Sequence, residues 1–226
     1  SEVRDKFGDD RRTNILEASG DISILDLIPE EEQVLTLSFR GYIKRIPADQ
    51  FQEQRRGGVG RRGMKSRNDD AAREIFYANT LSELLIFTKK GQMFKIPAYA
   101  IPQTRRDLSG TPIVNLVNID KEDSIASVLS ISSFDEDIDL LFCSRKGQVK
   151  RTPLALYKNV NKRGIRAYGC GDGDELLKVC FARDSQDILI NSERGKSIRF
   201  PCESIRITGR AAMGVKGINL QKNDAI

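Results

Sequence analysis

LTLSFRGYIKRIP, residues 35–47, is an apolar strand, a basic turn with a glycine, a second strand and a proline. The same pattern returns as LLIFTKKGQMFKIP at 84–97, LLFCSRKGQVKRTP at 140–153 and ILINSERGKSIRFP at 188–201. Its glycines, Gly41, Gly91, Gly147 and Gly195, lie 50, 56 and 48 residues apart. Short apolar runs flanking a glycine predict a β-hairpin, because glycine reaches the positive φ that a tight turn demands. A period of about 50 residues therefore organises the chain.

Outward from each hairpin, the proline opens a short piece such as AYAIP at 98–102 or LALY at 154–157, too short for a stable helix. A second glycine-bearing stretch follows: GGVGRRGM, LSGTPIVNL, KRGIRAYG or AMGVKGINL. Further apolar strands then close three copies, EIFYAN at 74–79, SIASVLSIS at 124–132 and ELLKVCFAR at 175–183. An all-β, four-stranded repeat of this length predicts a propeller-like blade, since a small sheet has two faces to bury and can bury them only against its neighbours. Four copies are visible, the fourth reaching Ile226 before any closing strand, so the expectation is a domain truncated in or after its fourth blade. Residues 1–32 show no repeat and carry ten acidic against four basic residues. They read as an acidic linker with a first strand near ILDLI at 24–28 and a solvated turn at Glu30–Glu32, and the repeat domain proper as 33–226.

The chain has 226 residues, of which 39% are hydrophobic and 31% charged, a globular balance. No apolar run approaches the roughly 20 residues of a spanning helix, and the start SEVR offers no leader, so a cytoplasmic protein without membrane attachment is expected. There is no histidine, which excludes Ser-His-Asp and Cys-His catalysis and histidine-ligated metals. Cys143, Cys170, Cys180 and Cys202 show no C-x-x-C spacing, so free thiols and no metal site are expected.

The charge is informative once it is resolved along the chain. Thirty-seven Lys and Arg against 32 Asp and Glu leave only +5. Taking each hairpin turn with its following glycine-bearing loop, residues 40–67, 89–106, 145–166 and 194–216 carry +7, +5, +8 and +5. These segments hold +25 and everything else −20. Four basic clusters in register predict a continuous basic rim, whose natural partner is a bendable polyanion such as duplex DNA. Aromatic residues are sparse in these loops, which argues against single-strand stacking and for backbone contact with a bent duplex. The candidate rim residues are Arg40, Lys44, Arg45, Arg61, Arg62, Lys65 and Arg67 in the first repeat; Lys89, Lys90, Arg105 and Arg106 in the second; Arg145, Lys146, Lys150, Arg151, Lys162, Arg163 and Arg166 in the third; and Arg194, Lys196, Arg199, Arg210 and Lys216 in the fourth. The most distinctive loop is Gln54, Arg55, Arg56, Gly57, Gly58, Val59, Gly60, where glycines admit a phosphate close to main-chain amides and arginines supply bidentate charge.

That loop, QRRGGVG, resembles the seven-residue box QRRGGKG of the carboxy-terminal domain of the DNA gyrase A subunit, within the type IIA topoisomerases. FGDDRRT at 7–13 is similar to the end of the breakage and rejoining region of that subunit, and DLIPEEEQVLTLSFRGYIKR to the opening of its DNA-wrapping domain. TPIVNL at 111–116, GDGDELL at 171–177 and GVKGINL at 214–220 extend the resemblance over essentially the whole chain. It implies a β-pinwheel, a propeller relative that exchanges strands between blades and normally has six of them. It also implies a rim that wraps duplex DNA and directs strand passage toward negative supercoiling, with the box initiating or securing the wrap. Val59 departs from the family's lysine, and Arg61 and Arg62 follow at once to replace its charge. The family's catalytic tyrosine, metal-binding acids and ATP site lie in other regions, so this chain holds no cofactor and no catalytic residue of its own, ATP and Mg serving the full enzyme. The implied partners are the rest of the A subunit and the B subunit in a heterotetramer, the isolated domain being monomeric. Two alternatives stay open: the corresponding substrate-selecting domain of topoisomerase IV, whose box is degenerate, and a propeller-type scaffold whose basic rim binds an acidic protein.

Overall fold

The computed structural model describes residue 6 and residues 24–50, 70–135 and 137–226. Its strands are β1 (Glu32–Ser38), β2 (Tyr42–Pro47), β3 (Ala72–Asn79), β4 (Glu83–Thr88), β5 (Gln92–Pro97), β6 (Thr111–Pro112) and β7 (Ile125–Ile131), then β8 (Asp139–Ser144), β9 (Gln148–Pro153), β10 (Ile165–Arg166), β11 (Leu176–Ala182), β12 (Asp187–Asn191), β13 (Ser197–Pro201) and β14 (Val215–Lys216). The four predicted hairpins are β1–β2, β4–β5, β8–β9 and β12–β13, and all four turn glycines have φ between 75° and 83°. The short pieces after the prolines are 3₁₀ turns, Ala98–Ala100 and Leu154–Tyr157 among them. Pro97 and Pro153, at φ −71° and −58°, set up these turns.

Three sheets have four antiparallel strands, in the orders β3-β1-β2-β6, β10-β5-β4-β7 and β11-β8-β9-β14; a fourth holds β12 and β13. In each complete sheet the last strand comes from the following repeat. β6, which follows the β4–β5 hairpin, pairs with β2 at Ile43↔Thr111; β10 pairs with β5 at Ile165↔Met93; β14 pairs with β9 at Val215↔Val149. The chain thus forms an all-β pinwheel of exchanged strands. On the opposite edges, β7 packs against β3 and β11, and Lys178 of β11 pairs with Glu74 of β3. The edges β3, β7 and β11 therefore gather on the inner side, and β6, β10 and β14 form the outer edges.

Continuous apolar runs, rather than alternating ones, are explained by burial on both faces. On β4, Leu84 and Ile86 join the core between the first and second sheets, with Leu35, Leu37 and Ile43. Leu85 and Phe87 point the other way, into the core between the second and third sheets, where Phe87 meets Phe142 edge-on at 5.6 Å. Each such buried side chain contributes about 1.5–3 kcal/mol, so adhesion between sheets is the main stabilising term.

The stretch at 24–28 differs from expectation. Ile24–Leu27 is a 3₁₀ turn, and the first strand begins at Glu32. Both edges of β1 are already occupied by β2 and β3, so the earlier residues find no ladder to join. Instead the Thr80 hydroxyl donates to the Pro29 carbonyl at 2.6 Å and accepts from the Glu31 amide at 3.0 Å, fixing the lead-in.

Candidate nucleic-acid interface

The basic residues fall into two structural classes. One lies on the exchanged segments that run along the outer edges. Residues 101–112 follow β2, where the Thr104 amide donates to the Arg45 carbonyl and Gly110, at φ +86°, sits against the Ile43 carbonyl. Residues 205–216 follow β9 in the same way, with the Thr208 amide on the Arg151 carbonyl. Along these segments Arg105, Lys162, Arg163, Arg166, Arg210 and Lys216 are exposed and Arg106 is half-buried. Arg105 is 3.6 Å from Asp107, and Arg106 donates to the Gln50 carbonyl. The side chains of Lys162, Arg163, Arg166, Arg210 and Lys216 make no ion pair or hydrogen bond among the described residues. Exposed Arg206 belongs with them; it lay inside the fourth basic stretch without being singled out there.

The second class occupies the hairpin turns. Here a device unseen in the sequence recurs in every repeat: an aspartate carboxylate accepts the main-chain amide at the turn. Arg40 donates to Asp70, Lys90 to Asp123, Lys146 to Asp174 and Arg194 to Asp224, at 3.1, 3.1, 2.9 and 3.1 Å. The hydrogen bonds from the Arg194 and Ala225 amides and from Ser192 outweigh desolvation and hold the Asp224 carboxyl below its usual range. The available signal was periodic, since these aspartates are 53, 51 and 50 residues apart. Side chains continue the pairing. Lys89 meets Glu175 at 3.2 Å, Arg145 meets Glu175 at 3.5 Å and Glu193 at 3.1 Å, and Lys90 meets Glu122 at 3.8 Å. The Lys146 ammonium donates to the Asp172 carbonyl and that of Lys196 to the Asn219 carbonyl. Only the side chains of Arg40 and Arg194 are unpaired on these turns among the described residues.

Three expected rim residues are not on the rim. Lys44 is 0% exposed, Lys150 1% and Arg151 6%. Lys44 and Lys150 stand three residues after the turn glycine, a position held by Phe94 and Ile198 in the other repeats, and both turn inward. The Lys44 ammonium clamps the carbonyls of Arg106 and Leu108 at 2.7 and 2.9 Å. That of Lys150 clamps Ala167 and Arg210 and lies 4.4 Å from the Phe142 ring centre. Burial lowers both amines from the usual lysine value, Lys150 to about 7. Arg151 is held by Asp139 and Asp184 and bonds the Cys202 carbonyl at 3.3 Å. The Asp139–Arg151 pair recurs as Glu83–Lys95 and Asp187–Arg199, each pair twelve residues apart across its own hairpin. Arg45 is half-buried and donates to the Ile101 carbonyl at 2.6 Å. These cations hold the blades together.

The box at Gln54, Arg55, Arg56, Gly57, Gly58, Val59 and Gly60 lies outside the described residues, as do Arg61, Arg62, Lys65 and Arg67.

Comparison with known proteins agrees with this architecture. The family described as DNA gyrase C-terminal domain, beta-propeller, matches at residues 32–73, 82–132, 139–179 and 186–226, one match for each repeat. The DNA gyrase A subunit of Clostridium acetobutylicum is 44% identical over 217 residues, 96% of this chain and 26% of that protein. The same subunit of Staphylococcus aureus strain MRSA252 is 38% identical over 228 residues, covering 100% and 26% respectively. The chain thus spans about a quarter of the length of these relatives. Among solved structures, the C-terminal domain of DNA topoisomerase IV superposes with a TM-score of 0.73 at 25% identity, covering 88% of this chain and 60% of that one. A DNA gyrase A C-terminal domain gives 0.69 at 22% identity, covering 86% and 63%. With its four-fold repeat, its exchanged strands and a family match over every repeat, this chain belongs to the DNA gyrase A C-terminal domain family.

Proposed function

We propose that this chain binds duplex DNA along its outer edges, bends it and wraps it, directing strand passage by DNA gyrase toward negative supercoiling. The observation that supports this best is the row of exposed, unpaired cations on successive exchanged segments, Lys162, Arg163 and Arg166 on one and Arg210 and Lys216 on the next. Cations without carboxylate partners are free to displace counterions from phosphates, and a row on the outer edge of a pinwheel leads a duplex along a curve. Main-chain and charge contacts of this kind recognise backbone, not sequence. The box residues 54–60 would add to this binding from the first repeat of the sequence. In this reading the chain acts in the cytoplasm as a non-catalytic part of a heterotetramer with the rest of the A subunit and the B subunit. ATP and Mg serve that assembly, and this chain holds neither.

The test is topological. Nicked plasmid ligated in the presence of the chain should shift in linking number in the sense of positive writhe, with binding that weakens steeply with salt. An unchanged linking number refutes wrapping. The near-intact box QRRGGVG favours the gyrase role over that of topoisomerase IV. Supercoiling by the full enzyme should therefore depend on Arg55 and Arg56, and insensitivity to their replacement by alanine would favour the second role.

A further inference from the structure

We infer that the duplex follows the exchanged outer segments 158–166 and 205–216, and that the second and third hairpin turns between them, despite their lysines and arginines, are electrostatically closed struts between blades. This rests on the DNA-binding reading and divides its basic residues in two. Along the sequence the turn and the segment of each repeat belong to one basic stretch. Folding separates them, because acidic residues about 30 positions downstream return to the turns. Lys89 pairs with Glu175, Lys90 with Glu122, and Arg145 with Glu175 and Glu193, while the Lys90 and Lys146 main-chain amides donate to Asp123 and Asp174. Lys89, Glu175, Arg145 and Glu193 form an alternating chain from the second turn to the fourth. A cation already matched by a carboxylate has no counterion to release, and a phosphate brought to it would meet that carboxylate.

The outer segments differ. Residues 158–166 contain four cations and no carboxylate, and residues 205–216 contain three and none. Within these two segments the one ion pair among the described residues is Lys158 with Asp135, at 3.2 Å and exposed on both sides. The segments are also well held. Ile165 and Arg166 pair with β5, and Val215 and Lys216 pair with β9, so their cations are positioned by sheet rather than by loose loop. The turns space the blades, and the segments present charge.

The experiment compares two triple variants of the 226-residue chain binding a duplex of about 40 base pairs over a range of salt. Lys162→Gln, Arg163→Gln and Arg166→Gln should lower the slope of log K against log salt by roughly 0.9 per lost phosphate contact, about 2.7 in all. Lys89→Gln, Lys90→Gln and Arg145→Gln remove the same charge and should change it by less than about 0.9, a single contact. An equal or larger drop for the turn variant overturns the inference. Lysine acetylation of the unaltered chain gives a second reading that needs no substitution. Bound duplex should protect Lys162 and Lys216 and leave Lys89 and Lys90 as reactive as before, and the reverse pattern also overturns it. If the unaltered chain binds without any salt dependence, the DNA reading itself fails, a result distinct from both.

Discussion

Gly164→Ala should detach one basic segment from the rim without unfolding the blades. Gly164 has φ +77°, where a side chain costs roughly 1–2 kcal/mol. An added Cβ would lie 2.9 Å from the Met93 carbonyl oxygen and 2.8 Å from the Phe94 ring. The ring can turn aside, but the carbonyl belongs to β5 and cannot, which adds about 1 kcal/mol. The total, about 2–3 kcal/mol, rivals what β10 gains from its two paired residues at about 0.5–1.5 kcal/mol per hydrogen bond. Local opening of the segment should rise roughly 30- to 150-fold. Hydrogen exchange reads this directly: the amides of Ala167 and Tyr168, both bonded to the Gly91 carbonyl, should lose that much protection while β4 amides keep theirs. Gly195→Ala is the control. Its φ is +83°, but nothing lies within 4 Å of the added carbon, so it carries the backbone penalty without the clash. Equal loss of protection at the two sites, or none at Ala167, would refute the steric argument.

Arg151→Leu should cost about 3 kcal/mol in urea unfolding, because it leaves Asp139 without its buried partner, and it should leave the salt slope of DNA binding unchanged. Lys150→Met should remove a pH dependence. Burial lowers the Lys150 amine to about 7, against about 10.4 in an unfolded chain. Between those values the unfolded chain binds more protons, so stability rises with pH through that window and is flat outside it. The urea midpoint of the unaltered chain relative to the Met variant should climb from pH 7 to 10. Burial also pushes the Cys143 thiol up to about 11, so at pH 8 a thiol reagent should modify it roughly 100-fold more slowly than an ordinary cysteine.

The hairpins were legible because glycine at the turn and proline after the second strand are local signals. So were β3, β7 and β11, as apolar runs of about seven residues. The exchanged strands are not legible in that way. β6 has two residues, and its partner in β2 lies about 70 positions earlier, so no periodicity can announce it; the family resemblance alone implied exchange. Lys44 and Lys150 misled for a related reason. A strand buried on both faces has no outward register for a charge to occupy, and the informative comparison was across repeats, where Phe94 and Ile198 hold the same position. The downstream aspartates and glutamates were assigned to the acidic remainder because linear counting cannot see that Glu175 folds between two turns.

The same exchange that builds the sheets also sets where binding charge can stand. Each outer segment belongs to one repeat but lies on the sheet of the repeat before it, and the older sheet supplies the anchor. Lys44 holds the carbonyls of Arg106 and Leu108, Lys150 holds those of Ala167 and Arg210, and in the intervening repeat Phe94 packs at Gly164. An inward lysine therefore fixes main chain whose neighbouring side chains point outward as cations, so the two lysines lost from the rim still act on it, as positioning residues. It follows that Lys150→Met should weaken DNA binding only through the two segments it clamps, at Ala167 and at Arg210. The loss should be matched by weaker duplex protection of both Lys162 and Lys216, with the main-chain amides of β8 exchanging as slowly as before. Faster exchange of the β8 amides as well would mean that the variant had disturbed the blades themselves, and the clamp would not be the link between core and rim.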